Sequence, residues 1–210
     1  MGDIAKFYQE GGAFMHFILL TGIIGVAAMA DRIIYLVFKA NTKAAKFYAQ
    51  VQKCVMANNI DTAIKLCDRN AQAALPRVIK AGLTKSTKDE QQVSQAIEES
   101  MLEVMPQIDK RVSMIAAVAN VATLLGLLGT IFGMLAAFEA VANAPADQRS
   151  TALARGIGIA MNTTGFGLIV AIPLLASHII VSNVAKSIKD SVELYSVKLE
   201  NLLSARFRLG

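Results

Sequence analysis

The chain has 210 residues, of which 54% are hydrophobic and only 18% charged, with a formal charge of +5 and a mean hydropathy of +0.47. An apolar excess gathered into long runs excludes a soluble globular domain, a disordered chain, collagen and a disulfide-stapled secreted module. An integral membrane protein remains, and since no nucleic-acid-binding pattern is present, the basic surplus is read as topology.

Three runs hold the apolar residues. The first, 13–38, is interrupted only by His16 and the pair Asp31-Arg32; the second, 114–138, has no ionisable side chain; the third, 156–181, has only His178. At 1.5 Å per residue each forms a helix of roughly 37 to 39 Å, enough to cross a hydrocarbon core of about 30 Å. The expected fold class is all-α integral membrane, with three transmembrane helices and long helical extensions. The residues before the first run include Asp3, Lys6 and Glu10 rather than a basic cluster, and the run exceeds a signal-peptide core, so it is expected to be retained.

Orientation follows from the lysines and arginines. Residues 39–113 carry twelve, the tail 182–210 carries five, residues 139–155 carry Arg149 and Arg155, and residues 1–12 carry Lys6 alone. Basic loops stay in the cytoplasm. The expectation is therefore an N-terminal segment (1–12) and a short loop (139–155) outside, with a loop (39–113) and a tail (182–210) in the cytoplasm. Cys54 and Cys67 fall in the cytoplasmic loop, where free thiols are expected.

The loop reads as helical. Lys43–Met56 and Asp61–Arg69 form two amphipathic segments around the turn signal Asn58-Asn59, with Asp61 favouring a helix start. A shorter helix follows Pro76, and Ser86–Asp89 restart the chain. Val93, Ile97, Met101, Val104, Ile108 and Val112 then recur at threes and fours, predicting a helix that runs into the second span with a kink at Pro106. In the tail, Ile188, Val192, Tyr195, Leu199 and Leu202 extend the third helix with one buried stripe.

No Walker loop, nucleophile elbow, His-Glu metal motif or paired carboxylate appears, so neither an enzyme nor a metal or cofactor site is expected. The polar residues inside the spans are the remaining candidates. Thr123 and Thr130 lie seven residues apart on one face of the second helix, and Asn162, Thr163 and Thr164 lie on the third near the depth of Thr130. Each either bonds its own helix carbonyl or lines a water-accessible ion path. The second span also carries a small-residue ridge of Ala122, Gly126, Gly129, Gly133 and Ala137, which lets a neighbouring helix approach closely and is expected at subunit interfaces. Pro173 is expected to kink the third span and free a carbonyl. His16 and His178 read as boundary residues, and Arg206 and Arg208 as a basic end facing solvent or anionic lipid. A conducting path needs a place for charge to rest, yet no carboxylate lies in the second or third run. Either no ion crosses, or another subunit brings the acid.

The run Leu124-Leu125-Gly126-Leu127-Leu128-Gly129-Thr130-Ile131-Phe132-Gly133-Met134, followed by Phe138, resembles the second span of the ExbB/TolQ proton-channel family, which is related to the flagellar stator protein MotA. Thr163-Thr164-Gly165-Phe166-Gly167-Leu168-Ile169-Val170-Ala171-Ile172-Pro173 is similar to that family's third span, and Asp31-Arg32 with Tyr35-Leu36 to the acidic-Arg motif closing its first. The resemblance implies a homopentamer around a central pore that holds a dimer of a single-span ExbD/TolR-type partner. That partner's transmembrane aspartate would carry the ion, facing the positions of Thr130 and Thr164, and ion flow would drive rotation that reaches the cell envelope. One departure stands out. Ile159 occupies the place where many members carry a glutamate, which leaves open a sodium-driven variant or a non-conducting scaffold and makes Asn162 the alternative polar group. Which envelope process is powered is read from the partner, not from this chain.

Overall fold

The computed structural model describes residues 7–8, 11–40 and 43–207; side chains are described for these except residues 37–39 and 207. Most of the expected N-terminal segment 1–12, and Arg208, lie outside the described residues. The chain forms α1 (Phe14–Ile34), a π turn (Tyr35–Ala40), α2 (Ala44–Met56), α3 (Ile60–Arg69), α4 (Ala74–Thr84), α5 (Glu90–Asp109), α6 (Val112–Asn143) and α7 (Arg149–Phe207). No strand occurs among the described residues. Three helical stretches are long and apolar enough to cross a membrane: Phe14–Ile34, Glu90–Asn143 and Arg149–Arg206.

The chain divides into two units, Met1–Ala30 with Arg111–Ile180, and Asp31–Lys110 with Val181–Gly210. In the first, the outward faces are apolar. Leu20 is 58% exposed, Leu124 62% and Ile172 61%, the inverse of a soluble protein, so this surface requires lipid or another apolar partner. Its interior is lined by small residues: Ala119, Ala122, Ala137, Ala160 and Ala171 are buried, as are Gly126, Gly129 and Gly133. Association in lipid depends on close backbone approach, and here it is achieved within one chain. A Cβ on Gly126 would lie 3.3 Å from the Gly167 and Thr164 Cα atoms, and one on Gly133 would lie 3.0 Å from the Ala160 Cα. The ridge expected at subunit interfaces is therefore covered by α7 of the same chain. Sequence spacing shows that a helix wants a close neighbour; it does not show which one.

The second unit packs α2–α5 with the end of α7. Asn59 caps α3, its side-chain Oδ1 accepting from the Thr62 amide at 3.3 Å and the Thr62 hydroxyl at 2.8 Å, while Asp61 sits in the first turn, where a negative charge favours the helix dipole. Asn58 supplies the left-handed turn, φ 59°. Val93, Ile97, Val104 and Ile108 of α5 are buried, and Gly82 lets α4 approach Ile97 and Leu199. Ile188, Val192, Leu199 and Leu203 line the buried stripe of α7, with the expected Leu202 only half-buried beside Leu203, while Tyr195 at its edge meets Tyr48 at a tilt, with ring centroids 5.0 Å apart. Arg206, expected at a solvated end, hydrogen-bonds the Asn58 side chain.

Pro106 does not end its helix. It lies inside α5 on an exposed face, where water can serve the carbonyl that its missing N–H leaves free. The break comes at Lys110-Arg111, where Arg111 adopts φ 62° and α6 starts afresh. The last turn of α5 is held by side chains from elsewhere in the unit. Arg32, 5% exposed, donates to the Gln107 carbonyl at 3.3 Å and to the Asp31 carboxylate at 3.2 Å, and its guanidinium lies 4.9 Å from the Tyr35 ring centroid. Lys189 donates to the Asp109 carboxylate at 2.8 Å. The Asp31-Arg32 pair thus works as a C-terminal cap on α5, matching a cation to orphan carbonyls at the negative end of the dipole.

Candidate ion path along the second and third spans

The first unit sets the positions of the candidate polar residues. On α6, a Cβ added to Gly25 of α1 would lie 3.1 Å from Val118, and Phe132 stacks on Phe14 at 5.3 Å, so α1 covers the Val118–Phe132 side. At about 100° per residue, Thr123 and Thr130 point roughly to the opposite side of α6. On α7, the α1 side is marked by Val170 and Leu174, which face Gly22 and Gly25. Thr164 points well away from it.

Thr164 Oγ1 donates to the Gly126 carbonyl at 3.1 Å, and Thr130 Oγ1 donates to the Leu127 carbonyl at 2.6 Å. Gly126 stands four residues before Thr130, one helical turn away. Its carbonyl is the one a helical threonine usually takes from its own helix, and here it is taken by α7 instead. The two hydroxyls are thereby held about one turn apart, on the flank away from α1 and at the seam between the helices. Both donate to carbonyls, so both keep oxygen lone pairs able to accept from a protonated acid, and a rotation about the C–O bond would let either donate to a carboxylate.

The other candidates lie elsewhere. Thr163 is buried at the α6–α7 contact, donating to the Ile159 and Ala160 carbonyls at 3.2 and 2.8 Å, and a Cβ on Gly129 would lie 2.7 Å from the Thr163 Cβ. Asn162 lies about 160° around α7 from Thr164, on the side that bears Phe166, whose ring meets Phe7 and Tyr8 edge-on at 6.5 and 5.9 Å. Thr123 shares the Thr130 flank, with its hydroxyl 3.2 Å from the Ala119 carbonyl. The five side chains therefore do not converge: Thr123, Thr130 and Thr164 share one flank, Thr163 faces inward and Asn162 lies behind. α7 runs unbroken through Pro173, whose carbonyl accepts from Ser177 at 2.7 Å.

The boundary histidines are both engaged. His178 Nδ1 lies 3.0 Å from the Val112 carbonyl, which requires the proton on Nδ1, and the Tyr8 hydroxyl lies 2.6 Å from His16 Nδ1. Among the described residues no three His, Cys, Asp or Glu side chains gather as metal ligands.

The profile of the MotA/TolQ/ExbB proton channel family matches residues 70–194, from the loop before α4 to the distal part of α7. The chain belongs to that family. Among relatives, an ExbB homolog of Methanothermobacter thermautotrophicus is 23% identical over 193 residues, 92% of this chain and 68% of its own. The biopolymer transport protein exbB1 of Vibrio cholerae is 36% identical over 70 residues, 33% of this chain and 31% of its own. An ExbB-like 2 protein of Helicobacter pylori is 32% identical over 71 residues, 34% of this chain and 47% of its own. The chain thus aligns with about two thirds of the first relative and less than half of the other two. It is a multi-pass membrane protein of a proton-channel family, and the family match includes every threonine of the candidate path.

Motif reading passes over two groups on the same flank, Ser113 and Asn120. Their signal is in the sequence: Ser113, Asn120, Thr123 and Thr130 are the polar residues of 112–138 and follow one another at seven, three and seven.

Proposed function

We propose that this chain is the channel-forming subunit of an ion-driven motor of the inner membrane. In this reading it assembles as a homopentamer around a dimer of a single-span ExbD/TolR-type partner and converts proton flow into mechanical work on the envelope. The spans are assigned to 13–38, 114–138 and 156–181, with the N-terminus periplasmic and the C-terminus cytoplasmic. The observation that carries the reading is the Thr164 hydroxyl on the Gly126 carbonyl at 3.1 Å, which keeps it within a turn of Thr130.

The chemistry follows from the solvent. A carboxyl group supplied in trans among apolar helices is poorly solvated, so its pKa rises and it loads a proton readily. In the loaded state it donates to a threonine oxygen; once the proton leaves, a rotated hydroxyl donates to the carboxylate and lowers the cost of the charge. With Ile159 at the family's glutamate position, this chain brings no carboxylate of its own to the seam, and loading and release fall to the partner's acid and the two hydroxyls.

The test replaces Thr130 or Thr164 with valine, which keeps the shape and removes the hydrogen bond, in native-membrane vesicles holding the chain with its partner. Loss of a membrane hydrogen bond costs on the order of 0.6 to 1.7 kcal/mol, so proton flux is expected to fall by about three- to twentyfold with assembly intact. Full flux in both variants would make the hydroxyls packing groups.

A further inference from the structure

All four polar side chains of 112–138 fall on one stripe of α6. Ser113, Asn120, Thr123 and Thr130 lie within about 100° of the helix circumference, centred opposite the side that α1 covers through Val118 and Phe132. Chance does not usually sort every polar residue of an apolar helix onto one face. Ser113, Asn120 and Thr123 are exposed, although the span around them is apolar enough to sit in a membrane. An Asn amide turned to lipid tails would lose the hydrogen bonds that both its oxygen and its nitrogen make in water. The stripe spans about 26 Å of helix axis, close to the thickness of a hydrocarbon core. α7 does not share in it: from Thr164 onward its corresponding flank reads Leu168, Ala171 and Leu175.

We propose that Asn120 is a further residue of the ion path, carrying the leg between the threonine seam and the N-terminal end of α6, with Ser113 at its mouth. Asn120 lies about 15 Å along the axis from Thr130, too far for a proton to pass directly. Its amide both donates and accepts, so it anchors a thread of water along an otherwise apolar wall without introducing a charge that would trap the ion. The inference rests on the ion-path reading above and extends it to a half of the span where no role has been assigned.

The experiment uses native-membrane vesicles containing the assembled complex, in a background with Cys54→Ser and Cys67→Ala. Asn120→Cys, Thr130→Cys and Val121→Cys are reacted with the membrane-impermeant cation methanethiosulfonate ethyltrimethylammonium, and proton flux is measured for Asn120→Leu, Asn120→Ala and Asn120→Ser. Asn120→Cys is expected to react about tenfold or more faster than Val121→Cys, which lies about 100° around the helix from Asn120 and faces off the stripe. Flux is expected to fall about tenfold in Asn120→Leu and Asn120→Ala and to stay within about threefold in Asn120→Ser, whose hydroxyl can donate and accept in place of the amide. Reaction at Thr130→Cys without reaction at Asn120→Cys would overturn the proposal and leave the threonine seam standing. Absence of reaction at both would overturn the ion-path reading as well. Labelling of Asn120→Cys with undiminished flux in Asn120→Ala would also overturn it, since the residue would then be wetted but not used.

Discussion

At the scale of single residues, environment separates groups that the sequence presents as equals. Thr163 and Thr164 are adjacent, yet Thr163 turns its hydroxyl back to its own helix and Thr164 reaches across to α6. Thr163→Val is accordingly expected to leave proton flux within about twofold of the parent, in contrast to Thr164→Val, because an i−4 bond on the same helix contributes little. The two cysteines differ similarly. Burial pushes the Cys67 thiol up to about 12, the neighbouring Asp68 adding to the rise and Lys80 opposing it; Cys54 is half-buried. The thiolate is the nucleophile. At pH 8 iodoacetamide should therefore modify Cys54 well before Cys67, with both reacting after denaturation, as mass spectrometry of the digested chain would show. The raised value also fixes a sign. The folded form holds its proton where the unfolded thiol has lost it, so the contribution of Cys67 to stability is present at neutral pH and is lost as pH rises towards 12. Equal alkylation of the two at pH 8 would contradict this burial.

At the scale of helices, the decisive contacts are between backbones. A Cβ at Gly129 would meet the Thr163 Cβ at 2.7 Å, whereas one at Gly158 meets nothing within 4 Å. Gly129→Ala should then destabilise the chain by about 1 to 3 kcal/mol, the range for overpacking. Gly158→Ala should be neutral or stabilising by up to about 1 kcal/mol from helix propensity. Thermal unfolding of the purified protein in detergent checks both, and the reverse order would mean that α6 and α7 do not pack through the ridge. The helix periods, the turn at Asn58-Asn59 and the extension of the third span were legible in the sequence because each depends on local spacing. The stop at Arg111 and the role of Arg32 were not. A left-handed arginine carries no composition signal, and a cap supplied by a residue 75 positions away is a tertiary fact.

At the scale of the whole molecule, the twelve basic residues of 39–113 against two in 139–155 predict opposite sides for those loops. Cysteines placed at Lys85 and Ala146 should react with an impermeant maleimide from the cytoplasm and the periplasm respectively; labelling of both from one side would overturn the three-span layout. Since the glycine ridge is occupied within the chain, contacts between copies must use other surfaces, and the exposed apolar faces of the spans, such as Leu124 and Leu135, both 62% exposed, are what those copies and lipid have to cover. Native mass spectrometry in mild detergent should show five copies. A stable monomer there would remove the basis for a central pore.

The sequence by itself determined the helical membrane class, the three spans and the family, because hydrophobic thickness and the long span motifs are local properties that no packing can alter. It also held the polar spacing of α6, legible once helix period is applied. Only the tertiary structure decided which polar groups share a space. It put Thr164 beside Thr130, turned Thr163 inward, sent Asn162 to the far side and closed the glycine ridge on α7, since these outcomes depend on how two helices rotate about their axes when their backbones touch.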